Sequence, residues 1–148
     1  MSKERENIVI ARRWLKGFWG NPWTPTIVDD LGAHDILLQF SLQTPQRGRD
    51  EVKKFLVGIH ATFHDLDFYS AANLEAEGDY VVGPLEGGGT HTGPAFTDLF
   101  IGFLPAHSGR KMHFVGKSVL RIKDGKIVED MTRMRWAMEQ PHFRRAVA

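Results

Sequence analysis

The chain has 148 residues, 42% of them hydrophobic and 25% charged, with a formal net charge of +1; this is the balance of one globular domain around one core. Lysines and arginines are interspersed with acids, which argues against a nucleic-acid partner. With no cysteine present, disulfides, thiolate zinc sites and cysteine nucleophiles are excluded. Residues 1–7 carry charges where a secretory signal needs an apolar run. No stretch reaches the roughly 20 apolar residues of a membrane span. The expectation is a cytoplasmic protein with no membrane partner.

From Glu4 to Trp19, residues Ile8, Ala11, Leu15 and Phe18 recur at helical spacing, and Trp14 and Trp19 widen the stripe. Asn21-Pro22 ends this helix. Thr24 before Pro25 reads as a cap and first-turn proline, opening a short helix that stops at Gly32. Ile36, Leu38, Phe40 and Leu42 alternate, so 35–42 is predicted to be a strand. After a turn at 44–48, Val52, Phe55, Leu56, Ile59 and Phe63 restore the helical period up to about His64. Strand patterning resumes at Leu66, turns at Glu77-Gly78-Asp79 and returns through Thr92, with glycines at 83, 87, 88 and 89 that point to a bent or bulged strand. Residues 94–109 read as a phenylalanine-rich loop. Strands at 111–122 and 126–136 follow, and the tail after Ala137 is expected to be partly loose. Helices first and strands afterwards predict an α+β domain, helices packed on one face of a bent antiparallel sheet around a pocket.

The last two strands carry the strongest inference. With a three-residue turn at Lys123-Asp124-Gly125, Gly125 left-handed, Ser118 falls opposite Asp130 and Phe114 opposite Met134. One face then holds Met112, Phe114, Gly116, Ser118, Leu120, Val128, Asp130, Thr132, Met134 and Trp136. The other holds His113, Lys117, Arg121, Glu129, Arg133 and Arg135, with Val115, Val119, Ile127 and Met131 among them. A two-residue turn at Asp124-Gly125 mixes the two sets, so the longer turn is preferred. Ser118, Asp130 and Thr132 stand on the apolar face. They are either a ligand site, few polar groups in an apolar cavity, or a core cluster satisfied by its own hydrogen bonds.

Gly89-Thr90-His91-Thr92-Gly93, Ser108-Gly109-Arg110-Lys111, Arg121 and Asp124-Gly125-Lys126-Ile127-Val128-Glu129, with Gly48-Arg49-Asp50-Glu51-Val52 and Glu75-Ala76-Glu77-Gly78-Asp79 before them, resemble the SnoaL-like polyketide cyclase family. The resemblance spans Gly48 to Trp136. It implies a nuclear-transport-factor-2-like cone, with about three helices on a curved sheet and dimerisation through the outer sheet face. It also implies cofactor-free ring closure by an acid/base histidine and aspartate on the last two strands. In this sequence Ser118 stands at the histidine position and Thr132 at the aspartate position; neither is the same general acid or base at neutral pH. Asp130, two residues earlier on the same face, is the candidate that takes over the role.

The resulting expectation is a protein binding a small hydrophobic organic molecule. Its reaction would be cofactor-independent cyclisation, isomerisation or dehydration of a carbonyl compound. Asp130 is the candidate acid/base; Ser118, Thr132 and His91 are candidate hydrogen-bonding residues; Phe114, Met134 and Trp136 shape the cavity. The alternatives are a non-catalytic binding or carrier protein and an assembly module with a vestigial pocket. His91 is either a substrate-orienting group or a structural histidine bonding a neighbouring strand. His60 and His64, one helical turn apart, have metal-chelating spacing but lack the glutamate of a metalloprotease motif; polar residues flanking a buried stripe is the simpler reading. Trp14, Phe18, Trp19 and Trp23 either close the narrow end over a flat ligand or fill core. Phe96, Leu99, Phe100, Ile101 and Phe103 form a candidate lid or dimer contact.

Overall fold

A computed structural model of the chain describes residues 2–41, 43–70, 73–98 and 102–138. Helix α1 (Lys3–Trp19) starts where the Ser2 hydroxyl accepts a hydrogen bond from the Arg5 amide, with Glu4 and Glu6 in its first turn. It buries Ala11, Trp14, Leu15, Phe18 and Trp19, the predicted stripe. Helix α2 (Ile27–Leu31) begins later than the Thr24-Pro25 signal suggests, with Thr26 at its start. Then follow β1 (Gly32–Phe40), β2 (Gln46–Arg47), α3 (Arg49–Thr62), β3 (Asp67–Ser70), β4 (Glu75–Glu77), β5 (Tyr80–Thr90), β6 (Phe96–Asp98), β7 (Gly102–Leu104), β8 (Lys111–Lys123) and β9 (Lys126–Met138).

The principal sheet runs β2-β1-β9-β8-β5-β3, with β4 also paired to β5. It is mixed rather than wholly antiparallel, because β1 lies parallel to β9, Leu38 beside Asp130 and Phe40 beside Thr132. β1 begins three residues earlier than its apolar alternation indicates, and its expected end, Leu42, lies outside the described residues. The segment expected to be a loop contains the β6–β7 hairpin, Phe96 paired with Leu104. Leu99, Phe100 and Ile101 of the candidate lid lie outside the described residues, as does the tail from residue 139. The glycines of β5 make no bulge against β8: pairing runs unbroken from Tyr80 with Arg121 to Thr90 with Lys111. Gly87 instead makes room. A Cβ there would overlap the Asp67 carbonyl and sit 2.7 Å from the tip of the Phe114 ring.

The final hairpin departs from the predicted register in an instructive way. Its turn is the shorter one, Lys123 pairing with Lys126, with Asp124 at φ 52° and Gly125 at φ 76°. Two consecutive left-handed residues are the signature of a two-residue hairpin turn with the twist of its strands. A bulge at Val128 then inserts one residue, so that Ile122 faces Ile127 but Arg121 faces Glu129. Beyond it Leu120 faces Asp130, Ser118 faces Thr132, Gly116 faces Met134 and Phe114 faces Trp136. Every pair is displaced by two residues from the predicted one, which preserves the faces. The correction falls on the bulge itself: Ile127 is fully buried and Val128 only half-buried, the reverse of the expectation.

The helices and the inward face of the sheet share one core. It contains Trp14, Phe18, Trp19, Ile36, Leu38, Leu56, Phe63, Leu85, Phe114, Leu120 and Trp136. Arg49, at the start of α3, donates twice to the Gly32 carbonyl at 3.0 and 3.1 Å, tying that helix to β1.

A buried carboxyl on a hydroxyl chain

Asp130 and Thr132 alternate with outward residues on β9, and Ser118 lies directly across on β8, so strand geometry alone gathers three polar side chains at one point of the inward face. All three are buried: Asp130 and Thr132 have no exposed surface and Ser118 is 2% exposed. The Thr132 hydroxyl donates to Asp130 Oδ1 at 2.6 Å. Ser118 Oγ and Thr132 Oγ1 are 2.7 Å apart. The second carboxyl oxygen, Oδ2, accepts from the indole Nε1 of Trp14 at 2.8 Å. That donor comes from α1, through the stripe that buries Trp14 against the sheet.

A threonine has one hydroxyl proton. With Asp130 ionised, Thr132 spends that proton on the carboxylate, so Ser118 donates to Thr132. With Asp130 protonated on Oδ1, the direction reverses: Asp130 donates to Thr132, Thr132 to Ser118, and the Ser118 proton is turned away from the chain. The three oxygens thus link the charge state of Asp130 to the polarity of Ser118. Burial disfavours the charged form and outweighs the two hydrogen bonds from Thr132 and Trp14 that favour it, raising the Asp130 pKa to about 6.

Phe114 and Trp136 lie buried on the same inward face, with ring centroids 4.8 Å apart. Trp136 stacks on Phe63 at 4.6 Å and 11° and meets Phe96 edge-on at 5.8 Å. Met134 is 3% exposed on the same face. Of the other candidate lid residue described, Phe103, the side chain is largely exposed.

His91 is fully buried beside Phe63, and both of its ring nitrogens are engaged. Nε2 lies 2.6 Å from the Pro94 carbonyl, which only accepts, so Nε2 carries the proton and Nδ1 accepts from the Ser108 hydroxyl at 2.7 Å. The ring ties Pro94 and Ser108 to the end of β5. His60 is likewise occupied: its Nε2 donates to the Phe18 carbonyl at 2.6 Å, and its ring stacks on Trp23 at 4.7 Å. Burial lowers its pKa. His64 bonds Thr92. Among the described residues no group of three or more histidines and carboxylates is placed to hold a metal ion, and no helix is long and apolar enough to cross a membrane.

The sequence pattern placed Ser118, Asp130 and Thr132 together, and the structure joins them. It missed Trp14 as the carboxyl's second partner. The only available signal was residue type: tryptophan is the one large apolar residue of α1 that brings a hydrogen-bond donor into a core.

A mixed curved sheet with three helices on its inward face, closed around a buried acid, is a nuclear-transport-factor-2-like architecture. It matches an NTF2-like protein from Burkholderia xenovorans LB400 at a TM-score of 0.69 with 12% identity, over 90% of this chain and 92% of that one. It also matches a candidate SnoaL-like polyketide cyclase from Jannaschia sp. CCS1 (TM-score 0.74, 19% identity, 90% and 89% covered). An LEH-like epoxide hydrolase from M. tuberculosis shares the fold as well (TM-score 0.66, 14% identity, 90% and 86% covered). The family model of the SnoaL-like polyketide cyclases matches residues 9–134; the chain belongs to that family. A sequence search of curated proteins gave no significant match.

Proposed function

We propose that this protein binds a small hydrophobic carbonyl compound within the cone and moves a proton on it, with Asp130 as the acid/base. The observation that carries the reading is the buried Asp130 carboxyl, poised at a pKa of about 6 and wired through Thr132 to Ser118. A group that titrates near neutrality is suited both to take and to return a proton. Ser118 stands where the family's histidine is expected. In this reading it presents the proton to the substrate, while Thr132 conducts it and Asp130 stores it. The reaction class is cyclisation, isomerisation or dehydration adjacent to a carbonyl; proton transfer of this kind calls for no redox cofactor.

The test begins with native purification and identification of a co-purified ligand by mass spectrometry, followed by turnover assays on it. Asp130→Asn is expected to abolish turnover. Ser118→Ala is expected to lower kcat strongly while leaving the Asp130 titration near 6. Full turnover in Asp130→Asn refutes the assignment.

A non-catalytic carrier is the second reading, favoured by the occupation of both His91 nitrogens and by serine and threonine at the acid/base positions. An Asp130 pKa of about 3–4 by carboxyl 13C NMR would support it, since a carboxylate ionised at that range is a structural hydrogen-bond acceptor. The outer sheet face exposes Tyr80, Val115 and Met131, and we take it as a homodimer contact, to be checked by sedimentation of the wild type against Met131→Glu.

A further inference from the structure

Two tryptophans in the core hold hydrogen-bond donors that the described residues leave unused. Trp19 is fully buried and Trp136 is 1% exposed, yet neither indole Nε1 has a partner among the described residues. Trp14, in the same core, spends its Nε1 on Asp130. Buried donors are almost always paired, because leaving one unmatched costs about 1–3 kcal/mol. Two in one core is a departure with a pattern. Trp19 on α1 and Trp136 on β9 both contact the ring of Phe114, with centroids at 6.5 and 4.8 Å. The other aromatic rings against these indoles are those of Phe18, Phe40, Phe55, Phe63 and Phe96, side chains with no atom that accepts a conventional hydrogen bond.

We infer that Trp19 and Trp136 are oxygen-binding residues: their indole N–H groups donate to acceptor oxygens of a ligand whose apolar body lies against Phe114. The inference rests on the reading that the cone takes a small carbonyl compound, and it adds the selection rule. An indole only donates. The ligand must therefore offer acceptors such as ketone or quinone oxygens, and a hydrocarbon of equal size leaves both donors unmatched. Selection against a ligand that lacks the matching group is stronger than selection on size, because the unpaired buried group carries the cost.

The experiment uses 1-tetralone and tetralin, two bicyclic compounds of similar shape that differ in one carbonyl. Each is titrated into protein carrying 15N-labelled tryptophan. The chain has four tryptophans, so the indole spectrum is simple to assign with single Trp→Phe variants. With tetralone, a downfield movement of the Trp19 or Trp136 N–H signal is expected, with none for tetralin. The matching variant, Trp19→Phe or Trp136→Phe, should weaken tetralone binding about three- to tenfold more than it weakens tetralin binding, the worth of one net hydrogen bond; an equal loss for both compounds overturns the inference. Should a variant fail to fold, the wild-type titration decides, assigned by through-bond correlation. Equal movement with both compounds, or none at saturating tetralone, overturns the inference. Either result leaves the acid/base role of Asp130 standing, since that role is judged by the Asp130→Asn variant and the Asp130 titration.

Discussion

Asp130→Asn is expected to stabilise the fold, and to do so only as the pH rises above about 4. The carboxyl has an ordinary pKa of 3.8 in the unfolded chain and about 6 in the folded one. Between those values the folded state keeps a proton on Asp130 that the unfolded state has lost. The folded state therefore binds more protons, and its stability falls as pH rises. Below the lower value both states are protonated and no penalty exists; above the upper value both are ionised and the penalty is complete. The full penalty is about 3 kcal/mol, at about 1.36 kcal/mol for each pH unit between the two values. Asparagine reproduces the protonated acid: its oxygen accepts from Trp14 and its amide donates to Thr132, which then donates to Ser118. The variant is thus expected to gain about 3 kcal/mol over the wild type between pH 4 and pH 7, read as a rise in melting temperature of about 6–12 °C for a chain of this size. Urea unfolding of both proteins at half-unit pH steps measures the difference directly. A difference that stays constant from pH 4 to pH 8 refutes the claim that Asp130 is a destabilised buried acid.

Other perturbations test the surroundings of that carboxyl. Trp14→Phe removes the donor to Oδ2, which favours the ionised form, so the Asp130 pKa should rise further above 6 in a carboxyl NMR titration; a fall would contradict the assigned contact. Thr132→Val cuts the chain in its middle and leaves Ser118 without its partner, at a cost of about 1–3 kcal/mol in unfolding free energy. Ser118→Ala added to it should then cost less than it does alone, a coupling that a double-mutant cycle reads. Gly87→Ala drives a methyl against the Asp67 carbonyl and the Phe114 ring, so a loss of about 1–3 kcal/mol or more is expected; a variant as stable as the wild type would mean that β3 and Phe114 do not approach Gly87 as described.

The faces of the last hairpin were legible because side chains on a strand alternate, and each of the ten residues assigned inward between Met112 and Trp136 has at least one neighbour that is charged or exposed. The turn was not. Asp-Gly suits both the two-residue turn and the third position of a longer one, and the extra residue hides in Ile127-Val128, where two β-branched apolar neighbours carry no alternation to betray a change of phase. The parallel pairing of β1 with β9 is equally silent, since it joins residues about ninety apart in the chain with no turn chemistry between them. The Trp14–Asp130 contact spans 116 positions; residue type identified each as a polar group needing a partner, but nothing local identified them as partners of one another. The hydroxyl chain, by contrast, followed from strand spacing once the faces were right.

The bulge at Val128 also makes the inside of this protein hostage to a single position. The same two-residue turn without the bulge would pair Arg121 with Val128 and slide the rest of the last strand by one step. The guanidinium groups of Arg133 and Arg135 would be driven toward the tryptophans, and the acid would be delivered to bulk water. A chain so paired would keep its whole composition and lose its interior, so the acid is held inside by the place where the strand sets one residue aside and not by the identity of that residue's side chain.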